Sequence, residues 1–328
     1  MHILKGYTKQ EISWMMYDWA NSAHSVIIVT LLPIFFDTVA GYTADSVSSM
    51  STWGYATSIA MLIVALAAPF LGVFGDIRGM RKKLFSFFML LGVAACAGMA
   101  FTPGMDFTSG PAAAGKVASL ILVLYIVSVI GFDASAIYYD AFLTDVTIED
   151  RMDKVSTMGY GLGYIGGSTI PLLIFLIMNL VGVPMLTCLA FVFGLTAVWW
   201  LAFSLPLLKN CEQTSGKPYE KGDVARSIKG VGTTIKEIIA NKPMLIYILS
   251  YFFYIDGVHT VISMATTYGT NLGLDSTGMM LALLLVQILG LPFCLLYIKC
   301  SEKFGARTMV GFGICVYMFI CIFAFFMN

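Results

Sequence analysis

Gly72-Val-Phe-Gly-Asp76-Ile-Arg78-Gly79-Met-Arg81-Lys82-Lys83 separates two long apolar runs, and 226 residues further on Ile298-Lys-Cys-Ser-Glu302-Lys303-Phe-Gly305-Ala-Arg307 separates two more. In both segments an acid is followed by a glycine at the third position and an arginine at the fifth. A second echo lies upstream. Asn21-Ser-Ala-His24 recurs as Asp256-Gly-Val-His259, at an offset of 235 residues. Two echoes at nearly one offset imply a duplicated unit of several apolar segments.

The apolar segments are long enough to cross a bilayer. The chain of 328 residues is 59% hydrophobic and 12% charged, with a mean hydropathy of +0.85, whereas a soluble domain carries about 25% charged residues. A helix needs about 20 apolar residues to span the hydrocarbon core. Nine stretches qualify: Trp14–Val39, Gly54–Gly75, Leu84–Thr102, Val117–Leu143, Met158–Leu180, Met185–Leu208, Met244–Tyr268, Thr277–Ile298 and Thr308–Met327. Gly182-Val-Pro184 makes the turn between the fifth and sixth. The expected class is therefore an all-α, multi-pass membrane protein, with the lipid bilayer as its first partner.

Charge sets the expected orientation. All nineteen Lys and Arg fall outside the nine stretches. With the N-terminus inside, eighteen of them lie on inner segments and only Lys116 lies outside, the asymmetry that cytoplasmic loops carry. The N-terminus is expected to be cytoplasmic, in a bacterial inner membrane or its equivalent. The start, MHILKGYTKQEIS, is polar and precedes a long apolar run without an A-x-A end, so the first span reads as an uncleaved anchor. Residues 209–243, the longest polar stretch, read as a cytoplasmic linker with an amphipathic helix around Val224–Ile239. They divide the chain into a half at 1–208 and a half at 244–328.

Several functions are excluded by composition and motif. The net charge is zero, which argues against nucleic acid as a partner. The seven cysteines show no CxxC spacing and sit mostly in apolar runs, so neither a disulfide framework nor a metal site is expected. No cofactor is expected. Gly161-Leu-Gly163-Tyr-Ile-Gly166 matches G-x-G-x-x-G but follows no strand, so small residues for close helix packing explain it better. No nucleophile elbow or HExxH occurs, so the chain does not read as an enzyme.

The segment Gly72–Lys83 resembles the loop between spans two and three of the major facilitator superfamily. Further runs resemble one branch of it, the vacuolar effluxer-like family, which includes the autophagy-related amino-acid effluxer of fungal vacuoles and its bacterial relatives. They are Tyr17-Asp18-Trp19-Ala20-Asn21-Ser22-Ala23, Tyr138-Tyr139-Asp140-Ala141-Phe142-Leu143, Gly161–Gly167, Tyr254-Ile255-Asp256-Gly257-Val258 and Leu283-Leu284-Leu285-Val286-Gln287. The chain departs from the pattern at Asp140, where the family has asparagine, and at Ile298, where the second loop would have glycine. The resemblance implies a major facilitator fold of two parallel six-span repeats. Nine of twelve spans are present, so the last three are expected to lie beyond Asn328. It also implies a cavity lined by spans one, four, seven and ten.

Ionisable residues inside a bilayer are costly and mark candidate functional sites. Here they concentrate on three spans. Span one carries Asp18 and His24, span four Asp133 and Asp140, and span seven Asp256 and His259. With Asn21 and Gln287 they form the candidate substrate or proton pathway. Asp256 and His259 are three apart on one helix face, where they could pair. Bland readings stand beside these: a histidine bonded to a neighbour, or Asp18, Asn21 and Gln287 as polar bridges between helices. Gly72, Asp76, Arg78, Gly79 and Arg81 form the candidate gating loop, in which Asp76 would bond an arginine or a helix N-terminus as a latch.

These readings together describe a monomeric secondary transporter of a small polar solute, working by alternating access with proton coupling. The resemblance makes amino-acid efflux the leading substrate class. The alternatives are a sugar or drug transporter, or a non-transporting scaffold or sensor of the same fold.

Overall fold

The computed structural model describes residues 4–43, 46–218, 223–271 and 276–326. They fall into two units, Met1–Asp223 and Val224–Asn328. The first holds α1 (Lys9–Ala40), α2 (Ser46–Gly75), α3 (Arg81–Met99), α4 (Pro111–Val146), α5 (Glu149–Leu162), α6 (Ile170–Leu180) and α7 (Met185–Asn210). A π-helical segment, Gly163–Thr169, joins α5 to α6, so that Glu149–Leu180 forms one membrane-length rod. Then follow α8 (Asp223–Ala240), α9 (Lys242–Asn271), α10 (Ser276–Phe304) and α11 (Ala306–Phe325).

Among the described residues, eight helices are long and apolar enough to cross a membrane. A ninth is reached if Gly230–Ala240 and Lys242–His259, bent by 97° about Asn241, are taken as one span. Each of the nine apolar stretches falls in one of these helices, although Met327, at the end of the last, lies outside the described residues. The expected amphipathic helix is α8; the linker cation Lys221 lies outside the described residues.

Local chemistry sets the helix ends. Thr8 and Glu11 form a capping box at the start of α1: the Thr8 hydroxyl accepts from the Glu11 N–H, and the Glu11 carboxylate accepts from the Thr8 N–H. Pro111 opens α4, where a missing N–H is harmless. Gly79 and Gly305, the matching glycines of the two echoing loops, adopt φ +80 and +82. A Cβ at either would meet nothing within 4 Å, so it is the left-handed backbone that calls for glycine there. The repeat seen in sequence is thus a repeat in backbone conformation, each copy turning the chain from one membrane helix into the next.

Small residues let the helices of the first unit approach closely. α3 packs along α4 and α1 along α7. At the α3–α4 crossing a Cβ on Gly131 would fall 2.5 Å from the Gly92 nitrogen. The π segment packs on α1 and precedes Pro171. Proline removes a helical hydrogen bond and its ring crowds the carbonyl four residues earlier, here that of Gly167. The Thr169 hydroxyl donates to the Tyr164 carbonyl at 2.7 Å within this widened turn.

Candidate substrate pathway and gating loop

α1 and α4 run antiparallel and meet through a ladder of polar contacts. His24 Nε2 lies 3.2 Å from the Ser128 hydroxyl, and the Tyr17 hydroxyl lies 2.8 Å from that of Ser135. The Tyr139 hydroxyl donates to Asp18 Oδ2 at 2.8 Å. Trp14 Nε1 donates to the Tyr139 carbonyl at 2.8 Å, with the two rings stacked at 4.3 Å. Residue numbers rise along α1 as they fall along α4, and Ser128, Ser135 and Tyr139 share one helical face. From α7, Trp200 Nε1 donates to the Tyr17 hydroxyl at 3.3 Å.

Two of the candidate pathway residues, Asp18 and His24, bond within this ladder, and Asn21 lies between them on α1. Asp18, Asn21 and His24 are all buried. The imidazole of His24 stacks on Phe132 at 4.8 Å and lies 5.2 Å from Trp200; among the described residues its Nδ1 has no hydrogen-bond partner. The glycine-rich π segment closes the other side of α1. A Cβ on Gly163 would sit 2.5 Å from the Ser22 hydroxyl, and one on Gly167 would sit 2.5 Å from the Trp19 carbonyl. The G-x-G-x-x-G run is therefore a packing surface for the Asp18–Ser22 turn, and π segments of this kind often occur at functional sites.

The other candidates lie apart from the ladder. Asp133 and Asp140 are seven residues apart on α4, on the face turned away from Ser128, Ser135 and Tyr139. Asp133 is half-buried and its Oδ2 has no partner among the described residues; Asp140 is exposed in its unit. On α9, Asp256 and His259 are both exposed in their unit. They share a face, yet no ion pair links them. Gln287 on α10 has a buried Oε1 with no hydrogen-bond partner among the described residues. Among the described residues no group of three or more metal-binding side chains occurs.

At the gating loop, Gly72 lies in the last turn of α2, Arg78 and Gly79 make the turn, and Arg81 begins α3. Arg81 is the buried member, and its closest partner is Asp145 at the end of α4. Asp76 is 81% exposed at its side chain and stands 3.9 Å from Arg81. Arg81 Nη1 also donates to the Ala141 carbonyl at 3.0 Å. The chain leaving α7 straps across this turn. Gln213 Oε1 accepts from the Gly79 N–H at 2.8 Å and its Nε2 donates to the Gly75 carbonyl at 2.9 Å. Asp145 Oδ1 accepts from the backbone N–H and hydroxyl of both Thr214 and Ser215, at 2.8 to 3.1 Å. Ile77 and Lys217 form an isolated parallel bridge. The start of the predicted linker is thus bound to the loop, and Cys211, buried beside it, has its thiol pushed up to about 12 by that burial.

A second clamp joins α1 to α5. The guanidinium of Arg151 grips Glu11 with Nε and Nη2 at 2.9 and 2.8 Å, and the Thr147 hydroxyl donates to the same carboxylate at 2.7 Å. Sequence reasoning missed this pair, as it missed Asp145, Gln213 and Tyr139. The Thr8-x-x-Glu11 capping box was the available signal for Glu11. Nothing in the spacing connects Glu11 to a residue 140 positions away.

A membrane-crossing helical unit, a glycine turn repeated between helix pairs and buried ionisable groups on crossing helices define a multi-pass membrane transporter of the major facilitator type. The crystal structure of a D-xylose–proton symporter shares the fold, with a TM-score of 0.52 over 90% of this chain and 69% of that one, at 14% identity. Within that type the chain belongs to the family described as vacuole effluxer Atg22 like, which matches residues 42–147 and 144–327. It is 39% identical over 334 residues to YxiO, an MFS-type transporter of Bacillus subtilis strain 168, covering 99% of this chain and 75% of that protein. It is 24% identical over 188 residues to autophagy-related protein 22-1 of Penicillium rubens, covering 54% of this chain and 32% of the fungal protein.

Proposed function

We propose that the protein exports a small polar solute, with amino acids as the leading class, by alternating access coupled to protons. The observation that carries this reading is the buried Asp18 carboxylate, held by the Tyr139 hydroxyl at 2.8 Å inside the α1–α4 contact. A carboxylate at that depth is expensive to keep, and ionisable groups on crossing helices mark substrate and proton paths. The remaining candidates are Asp133 and Asp140 on α4 in the first unit and, in the second unit by itself, Asp256 and His259 on α9. The amino-acid class is supported by the resemblance of the runs quoted above, Tyr17–Ala23 among them, to the vacuolar effluxer-like family. In this reading the N-terminus is cytoplasmic, the protein works as a monomer, and it resides in a bacterial inner membrane or its equivalent.

The test is transport in proteoliposomes, with a panel of labelled amino acids and an imposed pH gradient. We expect gradient-driven accumulation of at least one amino acid. Asp256→Asn should abolish accumulation while sparing solute exchange, because exchange need not release the proton. Asp18→Asn should impair both. Uphill transport by Asp256→Asn at the parent rate would overturn the role given to that residue. No amino acid moving under any gradient would overturn the substrate class.

A further inference from the structure

Beside the α2–α3 turn lies a pocket of about 400 Å³ lined by Arg78, Lys82, Lys83, Ser86, Glu212 and Gln213, together with Gly79. Three cations face it against one carboxylate. Among the described residues none of Arg78, Lys82 and Lys83 makes an ion pair; the ion pairs in this region belong to Arg81, which is not in the lining. The first turn of α3 holds three consecutive cations and no acid, and its N-cap residue Met80 offers no side-chain cap. A helix N-terminus attracts anions, so this turn concentrates positive field from the side chains and the backbone together. Among the described residues no carboxylate pairs with these three cations.

The surroundings identify what would satisfy them. Lys83, Phe87, Leu90 and Ala94 are exposed at helical spacing along α3, which marks the face that meets lipid. Phe87 and Leu90 are 60% and 49% exposed. Lys83 therefore belongs both to the cationic pocket and to the top of the lipid-facing stripe. The turn between two membrane-crossing helices lies at the bilayer surface, at the depth of lipid phosphates. Gln213, one wall of the pocket, also holds the Gly79 and Arg81 backbone N–H groups, so an anion bound here rests against the gating turn itself.

We propose that this pocket binds the phosphate of an anionic phospholipid headgroup, with an acyl chain lying along Phe87 and Leu90. The chemistry shared with a free phosphate is the cationic cradle; the apolar stripe that runs down from Lys83 is what favours lipid. The proposal is independent of which solute is carried.

The test is native mass spectrometry of the purified protein with phosphatidylglycerol, phosphatidylcholine or inorganic phosphate. We expect phosphatidylglycerol to be retained over phosphatidylcholine, and inorganic phosphate not to displace it. A cation near an anionic lipid surface is worth about fivefold in binding. Lys83→Gln should lower retention by about that factor, and the combined Arg78→Gln, Lys82→Gln and Lys83→Gln variant should lower it by more than tenfold. Lys83 is exposed, so its single substitution leaves folding intact and keeps the test decisive. Lys116→Gln, far from the pocket in sequence, should match the parent. Equal retention of the two lipids, or parent-level retention by the Lys83→Gln and triple variants, overturns the proposal. Displacement by inorganic phosphate assigns the cradle to a soluble anion and overturns the lipid.

Discussion

Arg81 is bound most closely to the carboxylate of Asp145, while that of Asp76, five residues before it in the same motif, stands 3.9 Å away. Asp145 is fully buried at its side chain, whereas Asp76 is 81% exposed. Asp145 also accepts four hydrogen bonds from Thr214 and Ser215. One carboxylate thus ties α4, the first turn of α3 and the strap leaving α7 into a single knot. Charge-assisted bonds in a buried setting are the strong ones.

The knot predicts unequal effects for the two acids. Asp145→Asn leaves a buried guanidinium without its counter-charge, a change that costs about 3–5 kcal/mol. Asp76→Asn removes an exposed, distant partner and should cost about 0–1 kcal/mol. Thermal unfolding of the two variants in the same detergent measures both. Equal shifts in Tm would mean that the Arg81–Asp145 pair is not what holds the turn.

The strap offers a second readout. Cys211 is buried, and burial keeps its thiol up at about 12, so almost no thiolate exists at neutral pH. In a protein whose other cysteines are replaced by alanine, maleimide should label Cys211 only when the strap lifts. At pH about 7 and at pH about 9 alike, its rate should stay far below that of an exposed thiol of ordinary pKa near 8.5. Asp145→Asn should speed labelling at either pH by loosening residues 214 and 215. Rapid labelling of the parent protein would place Cys211 at an open surface.

What was legible in the sequence followed from lipid and from turns. The nine apolar stretches map onto helices because a bilayer demands unbroken intrahelical hydrogen bonding. Gly79 and Gly305 were readable as equivalent because a positive φ leaves little choice but glycine. The G-x-G-x-x-G run was readable as packing, although its π-helical form was not, since Pro171 lies beyond it. Partner choice was the unreadable part. Asp76 sits in the motif and Asp145 outside it, and only the fold brings Asp145 to Arg81. Tyr139 likewise lies beside Asp140 in sequence, yet Tyr139 meets Asp18 while Asp140 faces away. Asp256 and His259 share a face as expected, but helical spacing alone does not make a bond, and none links them.

The contact between the π segment and α1 predicts a coupled pair of substitutions. Gly163→Ala would bring a methyl to 2.5 Å from the Ser22 hydroxyl, and overpacking of this kind costs about 1–3 kcal/mol. Ser22→Gly removes the obstructing hydroxymethyl. In a double-mutant cycle, Gly163→Ala should therefore cost less in the Ser22→Gly background than in the parent. Some cost remains, because the Asp18 carbonyl stands 3.0 Å from the same position. Additive effects would show that the two helices separate freely there and that the close approach does not define the Asp18 environment.

Membrane orientation is the broadest claim that charge supports. Eighteen of the nineteen Lys and Arg fall on one side if the nine spans alternate, and Lys116 alone falls on the other. Thr43 and Ser109 flank the α2–α3 pair and are exposed, as is Asn241 at the bend between α8 and α9. Two crossing helices separate Thr43 from Ser109, so those positions should share a side. Five crossing segments separate Thr43 from Asn241, so those should not. Single cysteines at the three positions, in a background without native cysteines, can be exposed to an impermeant maleimide in right-side-out vesicles. Thr43→Cys and Ser109→Cys should label from outside, and Asn241→Cys only after the membrane is opened. External labelling of Asn241→Cys with intact vesicles would break the alternation between α2 and α8, and with it the cytoplasmic placement of the strap, the gating turn and the Glu11–Arg151 clamp.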